Sequence, residues 1–439
     1  MQSTKRIWRA SHHANERPHG RLRDNQITRI EERMGVFDVL KRVGGSQIEG
    51  RYDRSFEPVM QAFCANFAER GELGASVCVT HEGRKVVDLW GGQASSNGAR
   101  WTRDTISLVF SATKGATALC AHLLAERGLL DLNAPVARYW PEYAQAGKRE
   151  TTVAMVLNHT AGLPHLREPV RRGGFYDAAY MTDLVARAEP FWPPGSQLGY
   201  HAFTFGWIIG EIVWRITGRS LGRFFREELA IPNGLDFWIG LPIDLEDHVA
   251  ELHQSQPDET ASVSRFMLAA LQQPDSPAHL FLANTGGFDF ASREARAAEI
   301  PAVNGVTNAR GLAGLYALVA NRRLLARPAI ARLRKVAVTT REDATLLMPT
   351  RFSFGFMKSI DNRSLPGADQ SCVLSGAAFG HAGAGGSLGF ADPRARLSFG
   401  YTMNLLGRGI LLNSRGQSLV DATYRALGYR SNLEGVWKI

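Results

Sequence analysis

The chain lacks most of the features that would place it at a membrane, on a nucleic acid or around a metal. No stretch approaches the roughly 18 consecutive apolar residues that a membrane-spanning helix needs. Cysteine is scarce: Cys64, Cys78, Cys120 and Cys372 are the only four. None forms a C-x-x-C pair or a zinc spacing, so buried free thiols in a reduced, cytoplasmic setting are expected. There is no H-E-x-x-H, and the His12-His13 pair falls in a polar tail, so no metal is expected. No G-x-G-x-x-G opens a helix after a strand, so no nucleotide cofactor is indicated either. The N-terminus has basic residues but no apolar core of a secretory signal. Internal repeats and low-complexity tracts are absent. The net charge of +9 is less than it looks, because the first 33 residues hold eight basic against four acidic side chains. The remaining excess is scattered arginine without interleaved aromatics, which argues against nucleic-acid binding.

What is present is the composition of a compact enzyme: 439 residues, 44% hydrophobic, 21% charged, with 44 glycines. Such a length supports a large core and two lobes. Residues 1–33 read as a polar, poorly ordered extension, with Met34 a candidate natural start. Helical spacing of Val59, Met60, Phe63 and Phe67 predicts a helix over 56–70. The runs 75–81 and 84–92, joined by Glu82-Gly83, predict a β-hairpin, and TISLVF (105–110) reads as a short strand. From 141 to 349 the pattern is mainly helical, including buried helices at 203–218 and 308–323. Two further strands are expected on either side of a turn at Asp392-Pro393, with a closing helix around 418–426. Strands at both ends of the chain imply one mainly antiparallel sheet, with residues 34–140 and 350–439 as an α/β (α+β) sheet domain and 141–349 as a helical domain. The crevice between the lobes is the default place for a site.

The chemistry concentrates in Ser111-Ala112-Thr113-Lys114. These residues open SATKGATALCAHLLAERG, a helix expected to stop at Gly128. Lys114 is the only formally charged residue from Ser111 to Ala125, and the helix is apolar nearly all round, so it should be buried. Of the eight lysines, only Lys114 has a serine three positions before it. Residues at i and i+3 share a helix face. A buried, unpaired ammonium gives up its proton, which leaves a neutral base beside a hydroxyl: the makings of acyl transfer. The start of a helix adds positive potential and free N–H groups that can hold an oxyanion.

With these residues in view, the chain resembles the serine β-lactamase/penicillin-binding superfamily from about residue 52 to its end. It resembles most the family VIII-like carboxylesterases related to class C β-lactamases, a branch that includes lovastatin-type acyltransferases. SLVFSATKG matches the nucleophile motif, and MVLNHTAGLP (155–164) resembles the L-x-H-T-S-G-L segment. WPPGSQLGYHAFTFGWIIGEIV (192–213) resembles the stretch with the tyrosine motif. FGHAGAGGSLGFADP (379–393) resembles the third motif. The resemblance implies a β-lactamase/transpeptidase-like fold, with Ser111 as nucleophile and Lys114 and Tyr200 as proton-transfer groups. It implies an oxyanion hole of the Ser111 and Ala384 N–H groups and a substrate edge formed by His381, Gly383 and Gly385. A small-molecule ester is the implied substrate.

Two departures matter. Tyr200-His201-Ala202 lacks the lactamase asparagine, and His381-Ala382-Gly383 replaces Lys-Thr-Gly. Both favour an esterase over a β-lactamase or D-alanyl peptidase. Acyl transfer to another alcohol or amine stays open, and a non-catalytic scaffold of the same fold is the rival from outside enzymology. His381 has two readings, orienting substrate or Tyr200, or filling a strand end. His159 reads as a structural histidine. Gly385-Gly386-Ser387-Leu388-Gly389 fits G-x-S-x-G, but no helix and no histidine follow it, so Ser387 is rejected as a nucleophile. Phe191, Trp192, Phe203, Phe352 and Phe354 are candidates for an acyl pocket or for plain core.

Overall fold

The computed structural model describes residues 35–256, 262–367 and 369–439; the extension read at 1–33 and Met34 lie outside them. At the N-terminal end, β1 (Val36–Val43) and β2 (Ser46–Asp53) form a hairpin, and α1 (Glu57–Glu69) follows. β3 (Gly74–His81) and β4 (Arg84–Gly92) form the next hairpin. Its turn residues Glu82 and Gly83 both take positive φ, 52° and 81°, which a two-residue type I′ turn requires. The other end of the chain supplies β5 (Phe379–Ala382), β6 (Leu388–Asp392) and β7 (Leu397–Met403). Together they make one seven-stranded sheet in the order β1-β2-β4-β3-β7-β6-β5, antiparallel at every step.

Between the two sets of strands run α2 (Thr113–Glu126), α3 (Ala178–Arg187), α4 (Thr204–Thr217) and α5 (Ala309–Ala320); α6 (Ser414–Ala426) closes the chain. α2 is buried at every residue from Thr113 to Leu124, as its uninterrupted apolar composition requires. Gly218, at φ 69°, ends α4 in the left-handed conformation, a conformation with little penalty for glycine. Within TISLVF the strand is only Ser107–Leu108, paired with Val306–Thr307, beside a single parallel bridge from Ile106 to Val249. Extended structure stops there because Phe110 takes φ 45° and starts a 3-10 turn into α2. α5, read from sequence inside the helical insertion, lies against the sheet.

β7 shows why. Its residues alternate between the sheet's faces. Ser398, Gly400 and Thr402 face α5: the Ser398 hydroxyl donates to the Ala313 carbonyl at 2.7 Å, and a Cβ on Gly400 would come within 2.2 Å of the Ala309 carbonyl oxygen. Small residues let that helix approach closely. The opposite face carries Tyr401, whose hydroxyl donates to buried Glu72 at 2.5 Å. Arg415 of α6 holds the same carboxylate at 3.1 Å, with the Arg415 side chain 6% exposed and Glu72 fully covered. Burial raises the Glu72 pKa, and Arg415 and Tyr401 oppose that rise. Removing one partner of such a pair leaves a buried charge alone. Arg415→Met should therefore cost about 3–5 kcal/mol, read as a lower urea midpoint; an unchanged midpoint would show that the pair is dispensable.

No helix among the described residues is long and apolar enough to cross a membrane. All four cysteines are free thiols, three of them buried.

Candidate active site

Ser111 sits in the 3-10 turn Phe110–Ala112, and Lys114 in the first turn of α2. The Lys114 Nζ lies 3.2 Å from the Ser111 Oγ. It donates to the carbonyls of Ala202 at 2.7 Å and Ala302 at 3.0 Å. Lys114 is completely buried, forms no ion pair among the described residues, and is held well below the ordinary lysine pKa by desolvation alone. A neutral amine has two N–H bonds and one lone pair. Two carbonyl acceptors use the two bonds, and the lone pair is left for the serine proton.

The acceptor carbonyls are set by elements far apart in sequence. Ala202 ends the segment that leads into α4. Ala302 lies in a loop braced by Asn304, which donates to the Ala295 carbonyl at 2.9 Å and accepts from the Ile300 N–H at 3.0 Å. Thr113 ties this loop to the Ser111 turn, donating to the Phe110 carbonyl and accepting from the Gly305 N–H at 2.8 Å.

Tyr200 is 5% exposed, and its ring centroid lies 4.8 Å from the Lys114 Nζ. Burial raises the phenol pKa, and a hydrogen bond with Ser111 opposes the rise. Ser111, Lys114 and Tyr200 therefore converge on one point. The backbone beneath Tyr200 is fixed from two sides. The Asp343 carboxylate accepts from the N–H groups of Tyr200, Thr345 and Leu346 at 3.0, 2.8 and 2.9 Å, and from the Thr350 hydroxyl at 3.0 Å. On the other side the His159 carbonyl accepts from the Gly199 N–H at 3.1 Å, and the His159 Nδ1 from the His201 N–H at 3.1 Å. His159 itself takes φ 65°.

Three histidines surround this point, and burial holds each neutral. His201 is pushed down to about 3; its Nδ1 bonds the Gly199 carbonyl at 2.7 Å, and its Nε2 accepts from the Leu163 N–H at 3.0 Å. His159 is held well below its usual value by burial, with His201, Lys114 and His381 adding to the effect. His381 is pushed down to about 3 by burial and then by Lys114. Its ring centroid is 6.0 Å from that of Tyr200, and its Nδ1 bonds the Ala382 carbonyl at 2.7 Å. The His381 Nε2 is buried without a partner among the described residues.

Residues 383–386 form a tight turn. The N–H groups of Gly383, Gly385 and Gly386 bond the carbonyls of Ser387, Gly409 and Gly383. Neither the Ala384 N–H nor the Ser111 N–H has an acceptor among the described residues. The two segments touch: a Cβ on Gly383 would meet the Val109 carbonyl oxygen at 2.1 Å, and the Ser387 hydroxyl donates to that oxygen at 2.9 Å. Ser387 is thus a buried tie between the turn and the loop that carries Ser111. Gly385, at φ 82°, is crowded by Leu406, so the crowding at both glycines comes from the protein itself.

The proposed acyl-pocket aromatics contact protein. Phe352 stacks on Tyr200 at 6.0 Å, Phe203 packs on Phe175 and Phe281, and Phe191 lies against Trp192 under Arg167. The ring next to the Ser111 turn is Phe290, 5.1 Å from Phe110. Grooves of about 510 and 630 Å³ open elsewhere, neither lined by Ser111, Lys114 or Tyr200. Among the described residues no group of His, Cys, Asp or Glu is arranged to hold a metal ion.

The β-lactamase family model matches residues 53–417. The chain belongs to the β-lactamase family. The fold is accordingly β-lactamase/transpeptidase-like, an antiparallel sheet flanked by helices. Among β-lactamase family relatives, the esterase/beta-lactamase LipL of Mycobacterium tuberculosis is 35% identical over 376 residues, covering 82% of this chain and 84% of LipL. A family VIII carboxylesterase structure superposes with a TM-score of 0.76 at 38% identity, over 86% of this chain and 99% of that one. A penicillin-binding protein homologue from Caulobacter crescentus gives 0.75 at 33% identity, over 86% and 99%. Relatives of this kind support a hydrolase within the β-lactamase family.

Asp343 is the polar residue of this site that sequence reasoning missed. Asp343→Ala would strip the acceptor from three buried N–H groups and one hydroxyl, each worth about 1–3 kcal/mol when left unpaired. It should lower the urea midpoint and reduce kcat at least about tenfold if Tyr200 must be held beside Ser111 and Lys114. Wild-type kcat in the variant would show that Asp343 does not position Tyr200.

Proposed function

We propose that this protein is a carboxylesterase acting through a Ser111 acyl-enzyme. The observation that carries the reading is a fully buried lysine, without a carboxylate partner, 3.2 Å from a serine hydroxyl. The Ser111 Oγ attacks the ester carbonyl carbon as its proton passes to the neutral Lys114 amine. The N–H groups of Ser111 and Ala384 receive the oxyanion. As the carbon–oxygen bond to the alcohol breaks, the proton returns through the Tyr200 phenol to the leaving oxygen. Water then attacks the acyl carbonyl, delivers its proton by the same route and restores Ser111. His381, Gly383 and Gly385 form the substrate edge of this reading. A cytoplasmic setting accords with four free thiols.

A lactam reading finds less support. His201 uses both ring nitrogens on backbone groups, and His381 is neutral where a cation would meet a substrate carboxylate. A charged hydrogen bond is worth about 1.5–3 kcal/mol, so nitrocefin turnover should fall at least about tenfold to a hundredfold below that of short p-nitrophenyl esters. Equal turnover of both would remove the preference for esters. The direct test is fluorophosphonate labelling with peptide mapping: the adduct is expected on Ser111, and an adduct elsewhere or none would overturn the proposal.

A further inference from the structure

The groove of about 510 Å³ lies between α3 and α4. Its volume falls in the range of small-molecule sites, and its lining is mostly apolar with a few polar groups, as such sites are. Trp140, Trp207 and Trp214 wall it, and Gly206 and Gly210 leave the space open. Four carboxylates line it, Glu142, Asp183, Glu211 and Glu299, with one lining cation, Arg215; Arg215 pairs with both Glu142 and Glu211, Asp183 pairs with Arg187, and Glu299 accepts from the Ser220 hydroxyl and the Gly222 N–H. One arginine against Glu142 and Glu211 leaves a negative charge, Glu299 adds another, and the indoles supply apolar walls, which together favour a cation with an apolar body.

The groove backs onto the lysine. Pro301 lines it, and the next residue, Ala302, accepts from the Lys114 Nζ at 3.0 Å. The Pro301 carbonyl accepts from Thr117, one turn along α2. Gly206 lines the groove and packs so closely on Ala302 that a Cβ there would stand 2.6 Å from its amide nitrogen. The second lysine acceptor, Ala202, lies just before the N-cap Phe203 of α4, the helix that carries Gly206. The Ala302 carbonyl thus adjoins the lining residue Pro301, and the Ala202 carbonyl stands at the entry to the lining helix.

We propose that this groove binds a small apolar cation, an aryl- or alkylammonium, and that its occupancy changes the setting of Lys114 through the Pro301–Ala302 segment and Gly206. The second half rests on the proposed role of Lys114; the first does not. The probe is phenethyltrimethylammonium, titrated calorimetrically into the full chain, with uncharged 2-phenylethanol as the comparison. Gly210→Leu fills the groove: its Cβ would meet Pro301 and Leu221 at 3.6 and 4.0 Å, which is ordinary contact. Trp214→Ala removes a wall that is 50% exposed, so at least one variant should fold normally.

The ammonium should bind saturably, with 2-phenylethanol and each variant about tenfold weaker, the scale of a desolvated cation–π contact. The saturating probe should change the rate of Ser111 labelling by a fluorophosphonate in the wild type and leave it unchanged in Gly210→Leu. No saturable binding at millimolar probe, or equal binding in both variants, would overturn the site. Binding without a change in labelling rate would overturn the coupling. If Ser111 is not labelled at all, the reading of the active site fails while the calorimetric result still decides the groove.

Discussion

Ser111→Ala should abolish fluorophosphonate labelling and lower kcat/KM for p-nitrophenyl esters by about 10⁵–10⁶-fold, the scale seen when a serine hydrolase loses its nucleophile. The residue is half-exposed in the turn before α2, and the change removes one oxygen without opening a core cavity. The urea midpoint should therefore stay close to that of the wild type. Some rate above background should persist, because the Ser111 and Ala384 N–H groups are backbone and survive the substitution. Retention of more than a few per cent of wild-type turnover would place the chemistry elsewhere.

Lys114→Met should lower kcat/KM by about 10²–10⁴-fold, the usual worth of a general base. The double variant with Ser111→Ala should be no worse than Ser111→Ala alone, because groups that act as a unit are not additive. The wild-type labelling rate should rise with pH along one ionisation below the ordinary lysine value of 10.5, since desolvation holds Lys114 low. That limb should vanish in Lys114→Met. Stability carries the same signature. Between the lowered folded-state pKa and the ordinary one, the unfolded chain binds a proton that the folded chain does not. Wild-type stability relative to Lys114→Met should thus rise with pH through that window, by about 1.4 kcal/mol per pH unit, level off above the ordinary lysine value, and be lost as pH falls through the folded-state pKa. A flat difference would mean that the lysine keeps its proton in the folded protein.

The serine–lysine pair was readable because two local facts coincide: a three-residue spacing and a helix with no other charge. Its surroundings were not readable in the same way. The Ala202 and Ala302 carbonyls that hold the amine are backbone atoms, and an alanine announces nothing about its carbonyl. Asp343 reaches the Tyr200 N–H across 143 residues, and nothing in its neighbourhood distinguishes it from a surface acid. That both chain ends build one sheet was legible from the 75–92 hairpin and the strands about Asp392-Pro393, whereas the β1–β2 hairpin and the turn that divides 379–393 into β5 and β6 were not read. The place of α5 against that sheet was harder. The pattern Leu312, Leu315, Tyr316, Val319 marks a buried stripe but not its partner. The signal lay in β7, where Ser398, Gly400 and Thr402 alternate with large residues and leave a shallow face for a helix. TISLVF looked like a full strand because its residues favour one; the left-handed Phe110 backbone ends it early.

The pairing of β3 with β7 joins Ala75 to Met403. A nascent chain at the usual elongation rate waits on the order of tens of seconds between making the first of these strands and the second. Through that interval β3 has an uncovered hydrogen-bonding edge. A chain terminated before β7 keeps that edge open and is prone to self-association.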